Sequence, residues 1–417
     1  MTPQTTTHPS EEKATEEFLS GKLAQVDIAK IEKEIQALWQ SAAQGEGEHP
    51  ANSVTRACAL NFILYSEDES SEQAAGDLLD DITVRHPCRA ILAILKPGKT
   101  ASLEAWVSAR CHITDVKARK QICCEQITVR GEAVGTPELA SVVLPLIVSD
   151  LPVILWWHPT QLAFDKLVPF LSAVDKLIVD SGCSADNLQF FSELLKIISQ
   201  KPGVSERKLL CTDLNWRRSL PWREAVALAF DRSHSEISPD YLSGISSVEV
   251  RYGLPEEATG SASASPGLIN QALLIVSWLS STLKWSFASA RSESAATVVL
   301  SFAGATGTVA VKLIGVPSDQ AGIGDIGSIK IRCEKPTAVM ITAVQQKSMP
   351  GIGVSCTDCK TEKVDSSLSS MFELNEAPEG HLIDKELESL HMEASFRPAV
   401  EAVVEILGQL SKVGAKG

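Results

Sequence analysis

Residues 151–159 read LPVILWWHP, residues 175–181 read DKLIVDS, and residues 213–230 read DLNWRRSLPWREAVALAF. Val153 to Trp157 and Leu177 to Val179 are short apolar runs closed by Pro, Asp and Ser. Such runs predict strands of a buried parallel sheet, with turn chemistry at their carboxyl ends. Trp156, Trp157 and His158 close the first strand, and Asp180 and Ser181 the second. Asn215, Trp216, Arg217, Arg218, Trp222 and Arg223 follow a third. In open α/β sheets the carboxyl edge is where ligands meet the protein.

Outward from this core, the pattern alternates. A helix is expected near Thr136–Val148, then strands separated by helices near Gln161–Ala173, Ala185–Ser199 and Pro221–Phe230. Upstream, residues 54–65 and AILAIL after Cys88 read as strands, with an acidic helix over Glu67–Asp81. Ala101–Ile113 and Lys120–Val129 read as an antiparallel pair. The expected fold is an N-terminal Rossmann-like α/β layer sandwich over residues 51–234. A smaller α+β domain with an antiparallel meander follows over 235–417, its strands predicted at Thr297–Phe302, Thr308–Gly315, Ser328–Glu334 and Ala338–Gln345. Helices are expected over Leu268–Trp285 and Leu382–Glu405, and Gly253–Pro266 reads as a loop. Residues 1–50 are expected to comprise a polar tail, a helix over Glu16–Ala42 and a linker from Gly45.

The 38 basic and 52 acidic side chains give a net charge of −14, which argues against nucleic acid or anionic lipid as a general partner. The longest apolar stretch, Val142 to Trp157, is interrupted by Pro145, Ser149, Asp150 and Pro152 and is too broken for a spanning helix. The N-terminal MTPQTTTHPSEEK has no secretory pattern, so a cytoplasmic location is expected. In that compartment the 10 Cys are expected to be thiols.

Three signals carry chemistry. Gly322, Gly324 and Gly327 spell G-x-G-x-x-G, but the strand-like SIKIRCE follows instead of a helix, so a hairpin turn is expected there and no nucleotide. Cys356 and Cys359 form a C-x-x-C in the polar segment SCTDCKTEKVDSS, expected to be an accessible loop. A regulatory dithiol, half of a zinc site and no special role all remain open for it. The Trp/Arg edge reads either as core packing or as an interface hot spot. Asp180 and Ser181 read as a helix cap, and Arg85 and Arg89 could add to a basic rim. His158, Asp180 and Ser181 invite a triad, yet no G-x-S-x-G elbow surrounds Ser181, and no H-E-x-x-H appears. No catalytic residue, metal or cofactor is therefore expected. The rival class is an α/β enzyme or binding protein for a sugar phosphate or nucleotide sugar.

The chain resembles the OpcA-type glucose-6-phosphate dehydrogenase assembly proteins. The matching blocks are Leu151–Pro152 with Trp156–Trp157, Asp180–Ser181, Asp213–Trp216 with Pro221–Arg223, and Ala272–Leu283 with Trp285. His158 and Pro159 stand where many members carry Arg and Gly. The resemblance implies a non-enzymatic assembly factor and allosteric activator of glucose-6-phosphate dehydrogenase, acting in the oxidative pentose phosphate pathway. It places partner contacts on Trp156, Trp157, His158, Asn215, Trp216, Arg217, Arg218, Trp222 and Arg223. It also raises redox control at Cys356 and Cys359, with thioredoxin as a further partner.

Overall fold

The structure is a computed structural model. It describes residues 21–23, 28–44, 53–67, 78–79, 82–115, 120–200, 209–231, 237–256, 269–294, 296–346, 351–361, 364–365, 372–373 and 379–414. The chain begins with β1 (Gly21–Leu23), α1 (Ile28–Gln44), β2 (Ser53–Arg56), β3 (Leu60–Ser66), β4 (Cys88–Lys96), β5 (Ser102–Asp115) and β6 (Lys120–Glu132). It continues through α2 (Thr136–Val143), β7 (Val153–Trp157), α3 (Phe164–Leu171), β8 (Lys176–Val179), α4 (Asn187–Ile198), β9 (Leu210–Asp213), α5 (Leu214–Arg218) and α6 (Leu220–Ala229).

These strands form one sheet in the order β1-β5-β6-β4-β3-β7-β8-β9, with β2 also paired to β6. The six strands from β6 to β9 are parallel, and β5 is antiparallel at their edge. Taken in chain order, the parallel strands run 3-2-1-4-5-6, the doubly wound arrangement. The first sheet thus has the expected Rossmann-like form, and 102–115 and 120–132 are the expected antiparallel pair.

Period-two alternation sends side chains to two different cores. Ile63, Tyr65, Leu155 and Trp157 face one cluster, while Phe62, Leu64, Ile154 and Trp156 face the other. β3 and β7 are buried at every position, and their apolar runs Phe62–Tyr65 and Val153–Trp157 are explained by this burial on both faces.

The second sheet is built from β10 (Ile245–Leu254), β11 (Ser286–Ser294), β12 (Thr297–Gly304), β13 (Gly307–Pro317), β14 (Ile326–Cys333), β15 (Val339–Gln346) and β16 (Gly351–Asp358). α7 (Asn270–Thr282) lies between β10 and β11 in sequence, and α8 (Glu379–Leu387) and α9 (Phe396–Gly414) end the chain. All four predicted strands form, but their meander is interrupted. β10 lies between β13 and β14, parallel to the first and antiparallel to the second. The glycine motif is accordingly a crossover loop and not a hairpin turn. Gly324 donates its N–H to Gly253 O at 2.9 Å, and a Cβ on Gly253 would lie 2.0 Å from Gly322 O. The glycines serve this close approach of backbones.

Further expectations are corrected. Within the expected helix from Glu16, Gly21–Leu23 is a strand, because it pairs with the edge of β5. Residues 54–65 belong to two strands: β2 pairs with β6, whereas β3 sits between β4 and β7. The expected single helix over 382–405 is α8 and α9 with a break. Most of the acidic segment 67–81, the linker 45–51, and residues 257–266 of the expected loop lie outside the described residues.

The C-terminal helices return to the first sheet. Leu382, Ile383 and Leu387 of α8 join Leu79 and Ile82 in covering its second face. α9 packs against α4 and α7, and α6 packs against β15 and β16. One apolar cluster therefore runs through both sheets.

Candidate functional site

The carboxyl edge of the first sheet is the place to look, and its switch point lies between β3 and β7. There Tyr65 stacks on Trp157, with centroids 4.1 Å apart and planes at 11°. Phe170 meets Tyr65 edge-on, and the Trp157 indole N–H donates to Gln161 O at 3.1 Å. The Tyr65 hydroxyl donates to Glu67 Oε1 at 2.8 Å, and Lys166 Nζ reaches the same oxygen at 2.6 Å. Burial and the Glu67 charge push the phenol pKa up.

A dinucleotide does not fit this crevice. The fingerprint needs glycines after the first strand and an acidic residue near the end of the second to hold a ribose. After β3 the chain reads Ser66-Glu67-Asp68-Glu69-Ser70-Ser71-Glu72, with no glycine before Gly76, and the Glu67 carboxylate at the strand end would repel a pyrophosphate. β4 ends in Lys96-Pro97-Gly98-Lys99.

At the ends of β8 and β9 lies a buried polar cluster. Asp180 accepts the Gly182 N–H at 2.9 Å, capping the short turn Ser181–Cys183 as expected. Arg218 grips Asp180 with two hydrogen bonds of 2.8 Å. Asp213 accepts the Ser181 hydroxyl at 2.6 Å and the N–H groups of Ser181 and Asn215 at 2.9 and 3.0 Å. The Ser181 hydroxyl is thus bound to a carboxylate instead of a histidine, and the invited triad does not form. Burial, then the charge of Asp180, lifts the Asp213 carboxyl to about 7. The same two causes lift Glu379, at the start of α8, to about 7.

The Trp and Arg residues are mostly interior. Trp156, Trp157, Asn215, Trp216, Trp222 and Arg223 are all 5% exposed or less. The expectation of an exposed recognition edge is corrected for these six: Trp156 and Trp157, successive on β7, meet an apolar core on each face, and Asn215, Trp216, Trp222 and Arg223 lie on the buried sides of α5 and α6. His158 is half-buried against Trp156, with ring centroids 5.0 Å apart. Arg223 lies over the Trp216 ring, 3.8 Å from its centroid, and donates to Glu393 Oε2 at 2.6 Å. Trp216 Nε1 donates to the same oxygen at 2.9 Å. Burial would raise the Glu393 carboxyl, but the Arg223 and Trp216 hydrogen bonds and the Arg223 charge hold it below the usual range. Only His158, Arg217 and Arg218 of the nine keep appreciable exposure. The basic rim is likewise absent: Arg89 is buried on Glu125, Glu32 and Leu146 O, and Arg85 binds Asp384 at 2.8 Å.

Sequence reading missed the partners supplied by the C-terminal segment. Lys176 is fully buried, and its ammonium donates to Glu386 Oε2 (2.7 Å), Glu386 O (2.6 Å) and Ser389 O (2.7 Å). Capturing carbonyls at the end of α8 stops that helix. Burial lowers the Lys176 pKa, against the opposing pull of Glu386. The only signal available was a lysine opening an otherwise apolar strand. Beside Arg217, and bordered by the Glu386 and Glu393 carboxylates that Lys176 and Arg223 bind, is a cavity of about 310 Å³, lined by β9, α5, the end of α8, the α8–α9 connection and the start of α9. His86, Asp384 and Glu388 place ligand atoms within 4.8 Å of one another, but Arg85 already occupies the Asp384 oxygen that His86 binds.

The C-x-x-C is not in a loop. Cys356 lies within β16, opposite Ile341, and is buried, while Cys359 is half-buried in the turn that follows. Strand alternation continues through Ser355 and Thr357, which carries Cys356 inward. Cys333 lies nearby on β14, its thiol pushed to about 12 by burial and then by the Cys356 and Cys359 charges.

Residues 79–196 match the family model described as the glucose-6-phosphate dehydrogenase subunit N-terminal domain, of OpcA type, and residues 210–400 match the corresponding C-terminal domain. A protein of Nostoc punctiforme named OpcA, for the OxPP cycle, is 29% identical over 266 residues, 63% of this chain and 53% of its own. Its namesake in Synechococcus elongatus is 27% identical over 320 residues, 73% of this chain and 66% of its own. The chain therefore spans about half to two thirds of the length of these relatives. Among solved structures, apo levoglucosan dehydrogenase superposes with a TM-score of 0.47 at 11% identity, covering 86% of this chain and 98% of that one. Its complex with NADH and L-sorbose gives 0.45, at 84% and 96% coverage. Scores below 0.5 carry no argument about chemistry. Among the described residues no helix is long and apolar enough to cross a membrane.

Proposed function

Because the chain belongs to the OpcA-type family of glucose-6-phosphate dehydrogenase assembly proteins, we propose that it binds that dehydrogenase as a non-catalytic partner and promotes its active assembly in the oxidative pentose phosphate pathway. The observation that carries this reading is the pair of successive matches over 79–196 and 210–400, both described as domains of a dehydrogenase subunit. The end of β3 supports the non-catalytic part, since the sequence after it lacks the glycine fingerprint of a dinucleotide site and begins with the Glu67 carboxylate.

Activation requires tighter binding to the active conformation of the dehydrogenase than to the inactive one, a coupling of typically ~1–3 kcal/mol. His158, Arg217 and Arg218 are the contact residues of this proposal, because they keep exposed surface on an edge whose tryptophans form its rigid support. Cys356 and Cys359 supply redox control: a two-electron exchange with thioredoxin interconverts dithiol and disulfide. Since Cys356 is packed inside β16, forming the bond must disturb that end of the second sheet.

The test is the rate and oligomeric state of purified glucose-6-phosphate dehydrogenase with and without this chain, under reducing and oxidising conditions. A lower substrate requirement together with a larger complex is expected. No change in either would sink the proposal. A Cys356→Ser/Cys359→Ser variant should bind equally in both conditions, and an undiminished redox response would move the switch to other cysteines.

A further inference from the structure

The cavity between β9, α5 and the α8–α9 connection has an uneven charge balance. Three carboxylates line it, and each has its own cation. Glu386 binds Lys176 at 2.7 Å, Glu388 binds Lys385 at 3.0 Å, and Glu393 binds Arg223 at 2.6 Å. Arg217 is the fourth cation. Its nearest carboxylate oxygen, on Glu386, is 3.8 Å away, beyond hydrogen-bond reach, and that carboxylate is already committed to Lys176. Among the described residues the Arg217 guanidinium makes no hydrogen bond.

We propose that this cavity is a binding site for a small organic phosphate, with Arg217 as the oxyanion clamp. A guanidinium presents a planar fork of donors that matches phosphate oxygens two at a time. An unused fork facing a cavity whose other charges cancel selects one negative group. Thr212 and Ser389 line the same space and offer hydroxyls to a polyol. Met392 and Phe396 form an apolar wall against which the carbon skeleton can lie. A volume of about 310 Å³ is at the lower end for ligand pockets, which suits a phosphorylated sugar and not a dinucleotide. One side of the cavity is β9 and α5 and the other is the α8–α9 segment, so occupancy would also hold that segment against the first sheet. Arg217 is also a contact residue of the dehydrogenase proposal, but the test of this site contains no dehydrogenase, so the two readings fail separately.

Isothermal titration of the full chain with glucose 6-phosphate, inorganic phosphate and glucose tests it. Saturable binding is expected for glucose 6-phosphate, weaker binding for inorganic phosphate, and none for glucose. Arg217→Gln should weaken glucose 6-phosphate binding roughly ten- to hundredfold, the loss typical of a charged hydrogen-bond pair. Its melting temperature without ligand should match the parent, because no hydrogen bond is removed. Met392→Trp, which fills the cavity without altering charge, should also abolish binding and covers the case of a poorly folded Arg217 variant. The proposal is overturned if neither phosphate binds saturably, if glucose binds as well as its phosphate, or if Arg217→Gln and Met392→Trp both bind like the parent.

Discussion

Tyr65 and Trp157 lie face to face at the switch point of the first sheet, with centroids 4.1 Å apart and planes 11° from parallel. They occupy the ends of neighbouring parallel strands, in register at the last pair of the β3–β7 ladder. A doubly wound sheet normally keeps this point open for a ligand. Here two stacked rings, both buried, end the strands that flank it.

Trp157→Ala should therefore cost stability and open no cofactor site. A fully buried tryptophan removed to alanine typically costs about 3–5 kcal/mol. Urea unfolding measures the loss, and titration with NADH and NADPH should show no binding to parent or variant. Saturable NADPH binding by the variant would mean that the stack alone blocks the crevice, and that the acidic segment after β3 does not.

Lys176 and Glu386 join strand β8 to helix α8 inside the protein. Lys176→Met leaves the Glu386 carboxylate buried without its cation, and such losses are typically 3–5 kcal/mol. The double variant Lys176→Met/Glu386→Met should recover part of that loss, because it removes both charges. A thermodynamic cycle on the two single variants and the double variant should give a coupling of about 1 kcal/mol or more. Limited proteolysis near Ser389 should accelerate in Lys176→Met, since its ammonium also holds the Ser389 carbonyl.

Stability should fall as pH rises from about 4 to about 7. Asp213 and Glu379 bind protons up to about pH 7 in the folded chain, above their ordinary values of 3.8 and 4.5. In that window the folded state holds more protons than the unfolded one, so raising the pH favours unfolding, by at most about 1.4 kcal/mol per unit for each group. Above about 7 both states are deprotonated and the trend flattens. Glu393 acts in the opposite sense below 4.5, because its carboxyl is held low by Arg223 and Trp216. Urea midpoints from pH 5 to 8 read the slope. Asp213→Asn, which can keep the bonds from the Ser181 and Asn215 amides, should reduce it, and an unchanged slope would acquit this cluster.

Gly253→Ala should destabilise the second sheet. The added Cβ would meet the backbone carbonyls of Gly322 and Ala321 at 2.0 and 2.3 Å, and neither can move without parting the crossover loop from β10. Overpacking of this kind typically costs about 1–3 kcal/mol. By contrast, Gly408→Ala on α9 has open space around the new methyl and should be neutral or slightly stabilising.

The parallel strands of the first sheet were legible in the sequence, although β1 and the division of 54–65 into β2 and β3 were not. Runs such as FILY (residues 62–65) and VILWW are apolar at every position, a pattern stable only where both faces of a strand are covered, and alternation with helices after β7 pointed to a parallel sheet. The paired tryptophans were legible as opposite-facing for the same reason. What tertiary structure decided is which groups far apart in the chain meet. Lys176 found Glu386, Arg223 found Glu393, and Arg85 found Asp384, because α8 folds back over the first sheet. Nothing local in 379–393 announces that return, since a half-apolar helix can cover any apolar face. The position of β10 between β13 and β14 was equally hidden, because strand pairing is set by backbone hydrogen bonds that every residue type can make. Arg217 shows the limit most directly. Its sequence neighbours mark it as one arginine among three, and only the packed C-terminal segment places it at the cavity with, among the described residues, no hydrogen-bonded partner.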